Sequence, residues 1–169
     1  MAETWFIEAE YVKEKSIINE NVDEKLLKRT IEKAQDIHLK AVIGSTLYDE
    51  IEGEIDGGTV TALNTTLLEE YLHPFLVAQC EWLMPVHILY KMTNKSVSKE
   101  SSQYGTPLTS QEVKELRAEL KQSAEYYATR ITKYLQENED DYPNYCPSEV
   151  NCDTILPDKE NYDTGIYLG

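Results

Sequence analysis

The sequence predicts an all-α fold: a helical bundle of about four to five helices with an extended N-terminal arm, a long loop and an extended C-terminal tail. Three observations carry that prediction. Two segments repeat apolar residues at three- and four-residue steps, a third between them is apolar all round, and no segment alternates strongly enough to make a sheet. No internal repeat is visible. At 169 residues the chain is the size of one domain, long enough to bury well over half of its unfolded surface without disulfides or a metal.

Residues 1–20 form the arm, in which Trp5, Phe6, Ile7, Val12, Ile17 and Ile18 alternate poorly with charge; an extended strap and a short helix both suit it. The bundle, residues 21–137, opens at Asn21, an Asx residue ahead of Val22-Asp23-Glu24 with acids where they complement the helix dipole. Leu27, Ile31, Ala34, His38 and Ala41 then fall on one helix face that closes near Gly44. Gly44-Ser45 reads as a C-cap followed at once by an N-cap, opening a short helix with Leu47, Tyr48 and Ile51 that Asp56-Gly57-Gly58 ends.

The stretch from Leu67 to Tyr90 is the central, most buried helix, and Pro74 and Pro85 should each start, kink or break it, because proline lacks the amide and crowds the preceding turn. From Asn94 to Thr109 the composition turns to Ser, Lys, Gly and Pro, a loop longer than a helix connection needs and hence a candidate contact element. A small hairpin in this loop, or a short strand in the arm or tail, stays open. Thr109 or Ser110 caps the last long helix, where Val113, Leu116, Leu120, Ala124, Tyr127, Ile131 and Leu135 line the core face.

Residues 138–169 have no helical or strand periodicity. They hold eight carboxylates against one lysine, a density that usually signals disorder, yet they also carry Tyr142, Tyr145, Tyr162, Ile166, Tyr167 and Leu168. Such amphipathic groups gain most by lying in a groove, on the chain's own body or on another subunit.

The whole chain carries 16 Lys and Arg against 31 Asp and Glu, a formal charge of −15, which disfavours sustained binding to nucleic acid or anionic lipid. No window approaches a membrane span, and the start of the chain lacks the features of a signal peptide, so folding in a cytoplasm is expected. Cys80 reads as a small core hydrophobe, and Cys146 and Cys152 as unbridged thiols in a reducing compartment, without metal-type spacing.

Catalytic constellations are not found. His38, His73 and His87 are the only histidines, none beside a nucleophile elbow, and Gly57-Gly58 lacks the Lys-Ser/Thr of a phosphate loop. Glu70-x-x-His73 matches half of a di-iron carboxylate motif, but such a site needs two pairs and two further glutamates. Glu139-Asp140-Asp141 lacks the spaced ligands and glycine turn of a calcium loop. The expectation is therefore a non-enzyme with no catalytic residue, metal or cofactor.

The runs Asn21 to Leu27, Ile31 to Ile37 and Ile43-Gly-Ser-Thr-Leu-Tyr48 resemble the opening of tailed-bacteriophage head-tail connector proteins, where an alanine-glutamine helix leads into a Leu-Gly-x-x-Leu-Tyr-like turn. Leu68 to Leu76, Met92 to Val97, and Glu125 to Asn138 with Tyr142-Pro143 look like the versions in phages of Bacteroidetes, including ring proteins of crAss-like phages. The likeness covers about residues 7–145 and departs at Ser96, where relatives often carry glycine. It implies an all-α subunit in a ring, commonly of twelve copies, between the portal and further neck or tail proteins, with DNA only as passing cargo, no membrane, and a place in the virion neck after assembly in the host cytoplasm. Trp5, Phe6, Val97, Tyr104, Tyr142, Tyr145, Tyr162 and Tyr167 are the candidate interface residues. The alternative is an acidic adaptor that presents its tail to a partner; a tight complex with a basic DNA-binding protein would favour it.

Overall fold

The computed structural model describes residues 4–18, 21–92, 97–99, 109–145 and 155, with the backbone alone at 87–92, 97–99 and 110. Five helices form an all-α bundle among them: α1 (Ala9–Lys15), α2 (residues 24–43), α3 (Ser45–Gly57), α4 (residues 62–89) and α5 (Ser110–Glu137). Strands β1 (Tyr90–Met92) and β2 (Val97–Lys99) pair antiparallel, Tyr90 opposite Lys99. The expected loop therefore begins in a short hairpin, with Val97 opposite Met92. Among the described residues no helix is long and apolar enough to cross a membrane.

Asp23, two residues later than expected, caps α2 by accepting from the Leu26 amide. The helix is α-helical over Glu24–Lys33, widens to a π-turn over Ala34–Leu39 and returns to α over Lys40–Ile43. A π-turn holds one residue more than the α-helix it interrupts, so every later side chain rotates by about one position. The buried face thus runs Leu27, Ile31, Ala34 and then Leu39, Val42 and Ile43, while Ala41 is exposed and His38 half-buried. A strict α-helical count had placed His38 and Ala41 inward.

Gly44 ends α2 and caps α3, at φ 79° and ψ 158°. That corner is essentially reserved for glycine, so Gly44→Ala should cost about 1–3 kcal/mol in urea unfolding. An unchanged midpoint would mean that the corner relaxes without strain. Gly58, left-handed at φ 63°, closes α3 as expected.

Helix α4 comprises Ala62–Leu67, a second π-turn at Leu68–Leu72, and His73–Leu89. The π-turn ends one residue short of Pro74 and contains Glu70, against whose carbonyl, four residues back, a normal turn would press the proline ring. The wider turn relieves that clash, and α4 continues instead of breaking there; Pro85 also lies within the helix. Cys80 is fully buried in α4, and burial pushes its thiol up to about 12, which leaves it inert.

A capping box closes the start of α5: Thr109 accepts from the Glu112 amide, and Glu112 accepts from the Thr109 amide at 2.7 Å. Across the α4/α5 pair, Arg117 meets Trp82 and Arg130 meets Tyr71, so the two helices run antiparallel. Ala124, Ala128, Ile131 and Leu135 fill the core from α5, whereas Val113, Leu116 and Leu120 are half-buried.

The arm belongs to the bundle. Phe6, Ile7, Ala9, Val12 and Ile18 are all buried in the common core, and seven residues form α1. Beyond α5, residues 138–145 fold back through a 3-10 turn, Pro143–Tyr145, that buries Tyr142 and Tyr145. The division at 137/138 into a bundle and a separate tail is thus not a boundary in packing.

Candidate interaction surface

Two side chains supplied by the π-turn regions hold the arm by its backbone. Gln35, buried within the first π-turn, accepts from the Phe6 amide at 3.3 Å and donates through Nε2 to the Thr4 carbonyl at 3.0 Å. His73, just past the second, lies with Nε2 2.9 Å from the Phe6 carbonyl; a carbonyl only accepts, so the ring N–H donates. The Phe6 ring packs on Tyr48, centroids 4.7 Å apart, and Tyr48 donates its hydroxyl to Asp36. Phe6 is therefore a core anchor of its own chain and not a group offered to a neighbour, because its ring gains more from this pocket than from water. Trp5 is half-buried and packs against the same core.

Desolvation holds His73 below its ordinary pKa of 6.5, partly opposed by the Phe6 carbonyl, and holds His38 low as well. The folded state thus binds these protons less readily than the unfolded chain does. Stability from His73 is complete above about pH 6.5 and declines as pH falls below it. His73→Gln should lose less stability than the parent between pH 7 and 5, measured by urea unfolding at each pH. Parallel profiles would show that His73 does not supply this dependence.

A row of planar groups follows one side of the α4/α5 pair. Tyr71 stacks on Tyr134 at 4.0 Å and 22°, and the Arg130 guanidinium lies 4.7 Å above the Tyr71 ring. Arg130 and Tyr134 are one turn apart on α5, and Tyr71 lies against both. Tyr142 meets Tyr134 edge-on at 5.9 Å and donates its hydroxyl to the Leu63 carbonyl. That uses its single proton, so Tyr134 donates in the 3.4 Å contact between the two hydroxyls. Tyr126, one turn before Arg130, is 65% exposed.

Trp82 marks a second region, with the Arg117 guanidinium 5.3 Å from its ring and the His38 ring T-shaped to it, centroids 5.5 Å apart; the neighbouring Ile37 is 60% exposed. Trp and Arg in such settings are the residue types that dominate binding energy at interfaces.

The tail makes one contact of a different kind. The Ser45 amide, at the start of α3, donates to the Ile155 carbonyl at 2.9 Å, and the Ile155 amide donates back to Ser45 Oγ at 3.1 Å. Ser45 is therefore a backbone anchor for the tail and not the expected helix cap. Nearby, the Glu50 carboxylate accepts from Asn64 Nδ2 and Asn144 Nδ2, tying α3 to α4 and to the 3-10 turn.

Of the candidate interface residues, Phe6, Tyr142 and Tyr145 are interior, so they do not face a neighbour. Tyr104, Tyr162 and Tyr167, with Cys146 and Cys152, lie outside the described residues, and Val97 is placed by its backbone alone. Among the described residues, no three His, Cys, Asp or Glu side chains converge as metal ligands; Glu70 is exposed, and His73 is engaged with the arm. The sequence places Arg130 on the solvated side of the last helix and Tyr71 in the central one without joining them, although Tyr126, Arg130 and Tyr134 recur at four-residue steps and form one stripe.

A family model described as "Family of unknown function (DUF6712)" matches residues 39–155, more than half of the chain. No curated protein and no solved structure matches.

Proposed function

We propose that this chain, which belongs to the DUF6712 family of unknown function, is a structural subunit of a tailed-bacteriophage virion. It forms a ring in the head-tail connector beneath the portal, joins capsid to tail and lets DNA pass. The observation that carries this reading is the resemblance of residues 21–48 to the opening of connector proteins. In the fold that segment is a helix, a glycine corner at Gly44 and a second helix whose Leu47 and Tyr48 are buried. A compact body with rigid helices suits a ring subunit, and exposed Ile17, Ile37, Leu63 and Tyr126 supply apolar groups for contacts around it. The charge of −15 gives the ring a further property: acids facing a lumen repel DNA and keep it moving.

Native mass spectrometry of the chain, alone and with portal protein, tests the reading. A closed assembly of about a dozen copies is the expected result; a monomer under both conditions overturns it. A cryo-EM map with a lumen lined by Lys and Arg would remove the proposed role of the acids.

A further inference from the structure

The stripe Tyr126, Arg130, Tyr134 on α5 creates two successive spaces between side chains one helical turn apart. Tyr71 of α4 occupies the space between Arg130 and Tyr134, stacked on the ring and under the guanidinium. In the next space, between Tyr126 and Arg130, the described residues place no further ring against either group: Tyr126 contacts Tyr127 edge-on, and Arg130 contacts Tyr71. Arg130 is exposed, and among the described residues no carboxylate pairs with it.

That space has a definite chemical demand. A planar aromatic would continue the stack on the second face of the guanidinium, and a carboxylate beside it would satisfy the guanidinium N–H groups. Residues 156–169 of this chain carry that combination, with Tyr162 followed by Asp163 and preceded by Glu160. They are also long enough to carry it: Tyr162 is seven residues past Ile155, so a tail tied at Ser45 leaves it a reach of up to about 25 Å.

We propose that the space between Tyr126 and Arg130 is a docking site for the C-terminal segment 156–169, with Tyr162 stacked on Arg130 and Asp163 or Glu160 paired with its guanidinium. The donor is an adjacent copy of the chain, a point that rests on the ring reading above. The segment then links neighbours: each subunit holds its own tail at Ser45 and passes the remainder across.

The test uses the full-length chain with Tyr162 replaced by photoreactive p-benzoylphenylalanine, which keeps an aromatic at that position. Illumination of a mixture of isotopically light and heavy protein, followed by peptide mapping, should give cross-links within residues 122–134 that join light to heavy copies. Arg130→Glu, a surface change, should reduce them about tenfold, and Asp163→Arg in that background should restore them. Cross-links concentrated elsewhere, or unchanged by Arg130→Glu, overturn the site; cross-links at the site confined to single copies overturn the neighbour as donor. A ring seen by native mass spectrometry without these cross-links would defeat this inference alone.

Discussion

Replacing Ile131 by aspartate will abolish the cooperative unfolding transition, because Ile131 is fully buried on α5 with Ala128 and Leu135, and among the described residues no Lys or Arg is buried with them to receive the charge. An unpaired carboxylate in such surroundings costs several kcal/mol, a large part of the stability of a domain this size. The same change at Leu120 should cost far less. Both positions lie on one helical stripe, but Leu120 is half-buried, and its aspartate can turn toward water. Circular dichroism melts of the two variants distinguish them; equal losses would mean that the core continues to the start of α5 as firmly as it does around Ile131.

Deleting residues 139–169 will destabilise the bundle severely, whereas deleting only 146–169 will leave a cooperative transition. The shorter deletion keeps Tyr142 and Tyr145, which are 1% and 0% exposed, and loses the Ser45–Ile155 pair. The longer one opens two aromatic-sized holes, and truncating a single buried aromatic commonly costs about 3–5 kcal/mol. It also removes the Tyr142 hydrogen bond to Leu63 and the Asn144 contact with Glu50. Urea denaturation of both truncations decides the matter. If the longer deletion melts like the parent, the bundle closes without these tyrosines, as the sequence alone would have it.

The helix inventory was legible because its signals are local. Thr109 followed by Glu112, the glycine at 44 and the Gly57-Gly58 pair each specify a terminus through a few neighbouring atoms, and those termini occur where expected. The faces were less legible where helix geometry departs from 3.6 residues per turn. Nothing in Ala34 to Leu39 announces an extra residue, so His38 and Ala41 were assigned to positions that Leu39 and Val42 occupy. Pro74 did announce a disturbance, but a π-turn absorbed it and the helix ran on.

The contact residues were harder still, since composition cannot tell which partner covers an aromatic. Phe6, Tyr142 and Tyr145 have the amphipathic character of interface residues and are covered by their own chain. Tyr71 and Arg130 lie far apart in sequence, and only the antiparallel alignment of α4 and α5 brings them together.

The hold on the arm has a consequence for sequence drift. Gln35 and His73 grip peptide groups at Thr4 and Phe6, which every residue type but proline supplies in full. Position 4, whose recognised group is its carbonyl, can therefore change freely among homologous chains without loosening the grip. Position 6 must keep both an amide hydrogen and the buried ring that packs on Tyr48, so proline would cost the arm its grip as well as its anchor there. Variation at the arm's surface and constancy at Gln35 and His73 would be the evolutionary record of a strap recognised by its main chain.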